Sequence, residues 1–381
     1  MKQENTLHKE IHRKYKVCTQ CVMDTSDPDI QFDENGICNH CRSYDEFIQN
    51  FPDAKAREEK LANIVAEIKE WGRDKEYDCI LGLSGGVDSS YVAYKSKELG
   101  LRPLIVHFDS GWNSEIAVKN IENIISKLGF DLYTFVMDWE EMRDLQLSYL
   151  KASVVNADIP QDYAFFTVLY KTAAKKNIKY YISGYNYQTE FILPRKWVYL
   201  SRDVRNLSAI HKTYGQIPLR KYPTISFIKD LYYVYHKIKR IDLLYYLDYN
   251  KQEAMKVLEE NVGWRYYGGK HYESIWTRFF QGYYLPVKFN IDKRRAHLST
   301  LVVTGQITRI EALEELKKDP YPTDLLNTDM EFVLKKLGIS KQEFEDIMKS
   351  PIRNHREFAS HWYIMETARR TKNIFSRLLG K

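Results

Sequence analysis

One stretch constrains this chain more than any other. Tyr77-Asp78-Cys79-Ile80-Leu81-Gly82-Leu83 is an apolar run with β character. It meets a glycine-rich turn, Ser84-Gly85-Gly86-Val87-Asp88-Ser89-Ser90, which opens onto a helical start at Tyr91-Val92-Ala93-Tyr94-Lys95. Strand, glycine loop and helix together point backbone N–H groups at an anion, and the helix dipole favours it. Gly85 and Gly86 let the backbone approach a phosphate closely. Ser84, Ser89 and Ser90 add hydroxyl donors. Asp88 would repel phosphate unless a divalent cation lay between them. The Gly-Lys-Ser/Thr ending of a Walker A loop is absent.

The residues after this loop keep a strand–helix rhythm. Strands are predicted at 77–83, 103–108, 131–137 and 179–184, with helices to about Leu99 and over 114–128, 139–150 and 162–176. Such alternation predicts a doubly wound parallel α/β sheet, whose ligands sit at the carboxyl ends of the strands. Ser84–Ser90, His107–Trp112 and Gly184–Glu190 then become neighbours, so His107, Asp109 and Gly184 join Ser84, Gly85, Gly86, Val87, Asp88, Ser89 and Ser90 as expected nucleotide-binding residues. Past Tyr214 the rhythm stops. Phe227–Leu247 has the composition of an amphipathic helix, read as core-facing with Tyr tips in water in preference to lying on a membrane surface, and residues 308–318, 328–337 and 340–349 have that of surface helices.

Cysteine usage is equally informative. Four of five cysteines fall as Cys18-x2-Cys21, sixteen residues, then Cys38-x2-Cys41. In a chain that begins on the polar residues Met1–Asn5, with no apolar leader, this spacing predicts a closed, structural zinc ribbon with four cysteine ligands rather than disulfides. Asn35-Gly36 supplies its turn, and His40 is a spare donor beside four sufficient sulfurs. The expected organisation is an arm and zinc ribbon over 1–45, a linker helix over 46–76 with a break near Pro52, the α/β domain over 77–214, and a mainly helical region over 215–381. No run of 18 apolar residues marks a membrane span, so a cytoplasmic location is expected, without membrane insertion. The net charge of +6 suits an anionic small molecule as well as RNA.

Five blocks now carry a resemblance: Cys18–Pro28 with Cys38–Cys41; Ser84–Ser90; Ile182–Glu190 with Leu193, Pro194 and Trp197; Gly263–Gln281; and Lys288-Phe289 with Asp292–Ser299. The second resembles the PP-loop of ATP pyrophosphatases, a HUP-like fold. Taken together they resemble the N-acetyl sugar amidotransferases of bacterial surface-polysaccharide (O-antigen) synthesis, of the WbpG and PseA type. The resemblance implies that ATP adenylates the amide oxygen of a nucleotide-linked acetamido sugar, and that ammonia then displaces AMP to leave an acetamidino group. It also implies Mg²⁺ held by Asp88 and Glu190, and phosphate clamps among Lys270, Arg278, Lys293 and Arg294. Cys79 lies inside the first strand, so no cysteine remains for an internal glutaminase. Family members draw ammonia from separate partners that resemble the glutaminase and cyclase subunits of imidazole glycerol phosphate synthase. Two other readings compete. One is a PP-loop tRNA thiolation enzyme, which would need further active-site cysteines. The other is a non-catalytic ribbon that binds nucleic acid, which leaves the PP-loop and residues 263–299 without a role.

Overall fold

The computed structural model describes residues 14–269 and 272–367; Lys270 and almost all of the expected N-terminal arm lie outside them. Five parallel strands form one sheet: β1 (Cys79–Gly82), β2 (Pro103–Asp109), β3 (Leu132–Val136), β4 (Tyr180–Ser183) and β5 (Lys239–Asp242), in the order β3-β2-β1-β4-β5. The chain walks one way from β1 to β3, then returns to the other side of β1 with β4. The switch point therefore falls between β1 and β4, where Leu81 lies opposite both Ile105 and Ile182.

Strand alternation sorts the core into two layers. Ile80, Leu104, Val106 and Tyr181 pack against the helices Trp139–Lys151 and Ile159–Lys175. Leu81, Ile105, Tyr180 and Ile182 face Val92, Ile121 and Ile124 of the helices Val87–Glu98 and Glu115–Leu128. Each fully buried Leu or Ile is worth about 1.5–3 kcal/mol. Ser114 and Asp138 cap their helices through side-chain oxygens, and Gly129 closes the first at φ +65.

The expected helix over Phe227–Leu247 is corrected. It divides into a helix (Phe227–Tyr232), a π-helical turn (Tyr233–Lys237), β5, and a 3-10 turn (Leu243–Tyr246). Tertiary pairing decides this: Tyr180–Ser183 offers β5 an open sheet edge, and Ile241, Leu243 and Leu244 drop into the core. The sheet thus extends beyond residue 214. At the amino end, the linker helix is two helices, Asn39–Gln49 and Ala54–Trp71. Pro52 lies between them, and Asp53 caps the second. The helix Thr323–Leu337 is more than a surface helix, because Val333 and Leu337 are buried in the main core.

Candidate active site at the sheet switch point

The loop after β1 is shaped by its neighbours. Gly85 has φ +79, and a Cβ there would lie 2.5 Å from the Ala117 carbonyl oxygen, so only glycine fits. Its own carbonyl accepts a hydrogen bond from Trp264 Nε1 at 2.9 Å. Asn120 accepts from Arg265 N at 2.8 Å and donates back to Arg265 O at 2.9 Å. Val87 N donates to Tyr267 Oη at 3.2 Å. The strap 264–267 therefore holds the loop from outside. Within the loop, Gly86 N donates to Ser84 Oγ at 3.2 Å, and the Ser84 and Ser89 hydroxyls lie 3.1 Å apart. Gly184, at the end of β4, lies close enough that a Cβ would meet Asp88 and Ser89 backbone atoms at 3.3 Å.

A cavity of about 430 Å³ opens between the β1 and β4 loops. Ser84, Gly86, Val87, Asp88, Ser89, Gly184 and Glu190 line it. Sequence reasoning missed four groups in the same wall: the aromatic pair Phe165 and Phe166, the carboxylate Glu273, and the cations Arg240 and Lys251. Gly82 belongs with Phe165, since a Cβ would sit 2.5 Å from the ring. Gly85 and Ser90 stand behind the wall. Tyr249 Oη donates to Asp88 Oδ1. Burial raises the Tyr249 phenol, helped by the charges of Asp88 and Glu190, so it remains a donor. The site thus combines backbone donors, three carboxylates, two cations and an aromatic face. That set suits a phosphorylated, ring-bearing ligand with a bridging cation.

His107 and Asp109 are outside this lining. His107 Nδ1 lies 3.0 Å from Leu83 O, and Asp109 accepts from Gly111 N and Asn113 Nδ2 at 2.8 and 3.0 Å. The switch point explains it: β2 lies on the far side of β1 from the cavity. Arg278 and Arg294 are also elsewhere. Arg278 makes a two-pronged pair with Asp329 at 2.5 and 2.6 Å. Arg294 pairs with Asp292 at 2.7 Å and donates to Lys318 O at 3.0 Å. Both act as internal braces of the C-terminal region. Lys293 sits 5.8 Å from the Phe280 ring, near Asp162.

The cysteine cluster is a separate feature. Cys18, Cys21, Cys38 and Cys41 are all buried, and their sulfurs lie within 4.8 Å of one another. Sulfur pairs are 3.6, 3.7 and 3.8 Å apart. Four Zn–S bonds of about 2.3 Å at tetrahedral angles require roughly 3.8 Å between sulfurs, so the residues fit zinc. Cys38 N donates to Cys18 Sγ at 3.2 Å, as a metal-bound thiolate would favour. His40 is held instead by Asp27 at 2.7 Å. The C-terminal region grips this ribbon: Arg309 Nη2 donates to Cys18 O at 2.8 Å, Arg295 pairs with Asp24 at 3.0 Å, and Val22 N donates to Ser299 Oγ at 3.1 Å.

Residues 273–369 match the family described as "LPS biosynthesis protein WbpG-like, C-terminal domain". The tRNA(Ile)-lysidine synthase of Chlamydia pneumoniae is 38% identical over 71 residues, 18% of this chain. The match spans 22% of that protein's length. Among solved structures, NMN synthetase from Francisella tularensis is 20% identical with a TM-score of 0.29, over 36% of this chain and 56% of that one. The NH3-dependent NAD synthetase from Campylobacter jejuni subsp. jejuni NCTC 11168, in complex with the nitrate ion, is 18% identical with a TM-score of 0.29, over 55% and 85%.

Proposed function

Since the chain carries a WbpG-like C-terminal domain, we propose that it is an ATP-dependent, AMP-forming amidotransferase of lipopolysaccharide biosynthesis. It would convert the acetamido group of a nucleotide-linked sugar to an acetamidino group. One observation carries this reading. Glu273, the first residue of the WbpG-like segment, lines the same cavity as the glycine-rich loop after β1.

An amide carbonyl is a weak electrophile with a poor leaving oxygen. Transfer of AMP to that oxygen gives an imidate that ammonia can attack, releasing AMP. Ser84, Gly86 and Ser89 would cradle the phosphates, with Arg240 and Lys251 offsetting the charge on the departing pyrophosphate. Phe165 and Phe166 offer a face for a ring to stack on. Among the described residues, the cysteines alone form a cluster close enough to hold a metal by themselves. Mg²⁺ normally takes only one or two carboxylates and completes its shell with phosphate oxygens and water. Asp88 and Glu190, joined by Glu273, fit that use, and the ion would neutralise phosphate charge.

Ammonia would come from separate glutaminase and channel partners. Four cysteines form the cluster that fits zinc, and burial pushes the Cys79 thiol well up, which leaves no ready thiolate. The same accounting weighs against tRNA thiolation. The test is direct. Protein, ATP, Mg²⁺, an ammonium salt and a panel of acetamido nucleotide sugars should release AMP and pyrophosphate and yield a product one mass unit lighter. Release of ADP and phosphate would overturn the reading.

A further inference from the structure

Tyr249 reaches the site from the chain that follows β5. A buried tyrosine needs a partner for its hydroxyl, and Tyr249, 4% exposed, finds one in Asp88 Oδ1. Its ring lies 5.6 Å from that of Tyr91, on the helix Val87–Glu98 that also carries Asp88. The ring packs in the layer of Val87, Leu243 and Leu244, so the core sets where the hydroxyl points.

The chain around Tyr249 is tied to the rest of the site. Gln188 Nε2 donates to Leu244 O at 3.3 Å and to Leu247 O at 3.2 Å, and Tyr249 N donates to Leu247 O at 2.9 Å. Gln188 lies in the turn Tyr187–Glu190, so these bonds join the Tyr249 segment to the one that carries Glu190. On the other side, Asn250 caps the helix Lys251–Val262. Gln306, in the WbpG-like segment, accepts from Lys251 N at 3.2 Å and donates to Gln188 O at 2.8 Å. One glutamine of that domain therefore braces the segments that bring Tyr249, Lys251 and Glu190 together.

Resting on the cation in the amidotransferase reading, we propose that Tyr249 is the positioning residue that orients the Asp88 carboxylate toward the divalent ion accompanying the nucleotide. Asp88 is in the first turn of its helix and lines the cavity. The last torsion of an aspartate is soft, so its carboxylate turns easily unless a fixed donor settles it. Tyr249 is such a donor, and a neutral one, so the carboxylate keeps its charge for the ion; a lysine in its place would compete with the metal. Carboxylates that ligate metals are ordinarily held in this way, and removal of such an outer partner costs about 10- to 100-fold in metal affinity or activity.

The test measures binding of α,β-methylene-ATP by calorimetry with saturating Mg²⁺ and again in EDTA, the binding stoichiometry counting the folded protein. Tyr249→Phe keeps the ring and its packing and removes only the hydroxyl. The tightening that Mg²⁺ gives should shrink by about 10- to 100-fold, with metal-free affinity unchanged. It should shrink no further when the change is added to Asp88→Asn, because Tyr249 acts through that carboxylate. Equal loss with and without Mg²⁺, an undiminished Mg²⁺ effect, or the same extra loss in the Asp88→Asn background overturns the role of Tyr249. A wild type that binds the analogue no better with Mg²⁺ overturns it too. A wild type that shows the Mg²⁺ effect yet forms no AMP with any acetamido sugar overturns the amidotransferase reading alone.

Discussion

Replacing Arg278 by Met separates a brace from a substrate clamp. The Arg278 side chain is 14% exposed and its partner Asp329 is 4% exposed. Two bonds at 2.5 and 2.6 Å join them, and Tyr321 Oη also donates to Asp329. The substitution keeps most of the apolar stem but leaves a buried carboxylate with one phenol donor. Removal of one member of a buried pair costs about 3–5 kcal/mol, and the remaining Tyr321 bond points to the lower end. Total stabilities run at about 5–15 kcal/mol, so such a loss is large. Urea denaturation followed by circular dichroism should show a clearly lowered midpoint. Arg278→Met combined with Asp329→Leu should recover most of it, because no charge is then stranded. An unchanged midpoint with turnover reduced a hundredfold would refute the brace and return Arg278 to the substrate.

Further outcomes follow from the same geometry. Gly85→Ala places a methyl 2.5 Å from the Ala117 carbonyl at φ +79, so ATP affinity should fall in a binding titration, with a loss of about 1–3 kcal/mol of stability from the overpacking alone; undiminished affinity would show that the loop does not cradle phosphate. Asp88→Ala should lower turnover by a hundredfold or more with circular dichroism unchanged, and wild-type turnover would remove its proposed metal role. Chelation of a zinc held by Cys18, Cys21, Cys38 and Cys41 should lower the melting temperature with turnover per folded molecule retained, whereas loss of turnover in protein that still melts as wild type would make the metal catalytic.

The parts legible in the sequence were those written in local pattern. The glycine loop, the four alternating strands and the cysteine spacing are each set by neighbours a few residues apart. β5 escaped because Lys239 and Arg240 are exposed and only Ile241 is buried, so four residues at a sheet edge carried no period. With β5 hidden, Arg240 had no reason to be placed at the site. Lys251 was closer to legible, since Asn250 is a recognisable helix cap just before it. Arg278 looked like a clamp because its acid, Asp329, lies 51 residues on, and such a pairing has no local sign. Arg294 was different: Asp292, two residues earlier, was a visible partner.

In the proposed reaction the amide oxygen itself is adenylated, and an isotope follows that atom. The sugar is supplied with ¹⁸O in its acetamido carbonyl, together with ATP, Mg²⁺ and ammonium, and the released AMP is weighed by mass spectrometry. The AMP should be two mass units heavier, with the sugar product free of the label. Unlabelled AMP, with ¹⁸O kept in the sugar or lost to water, would contradict it.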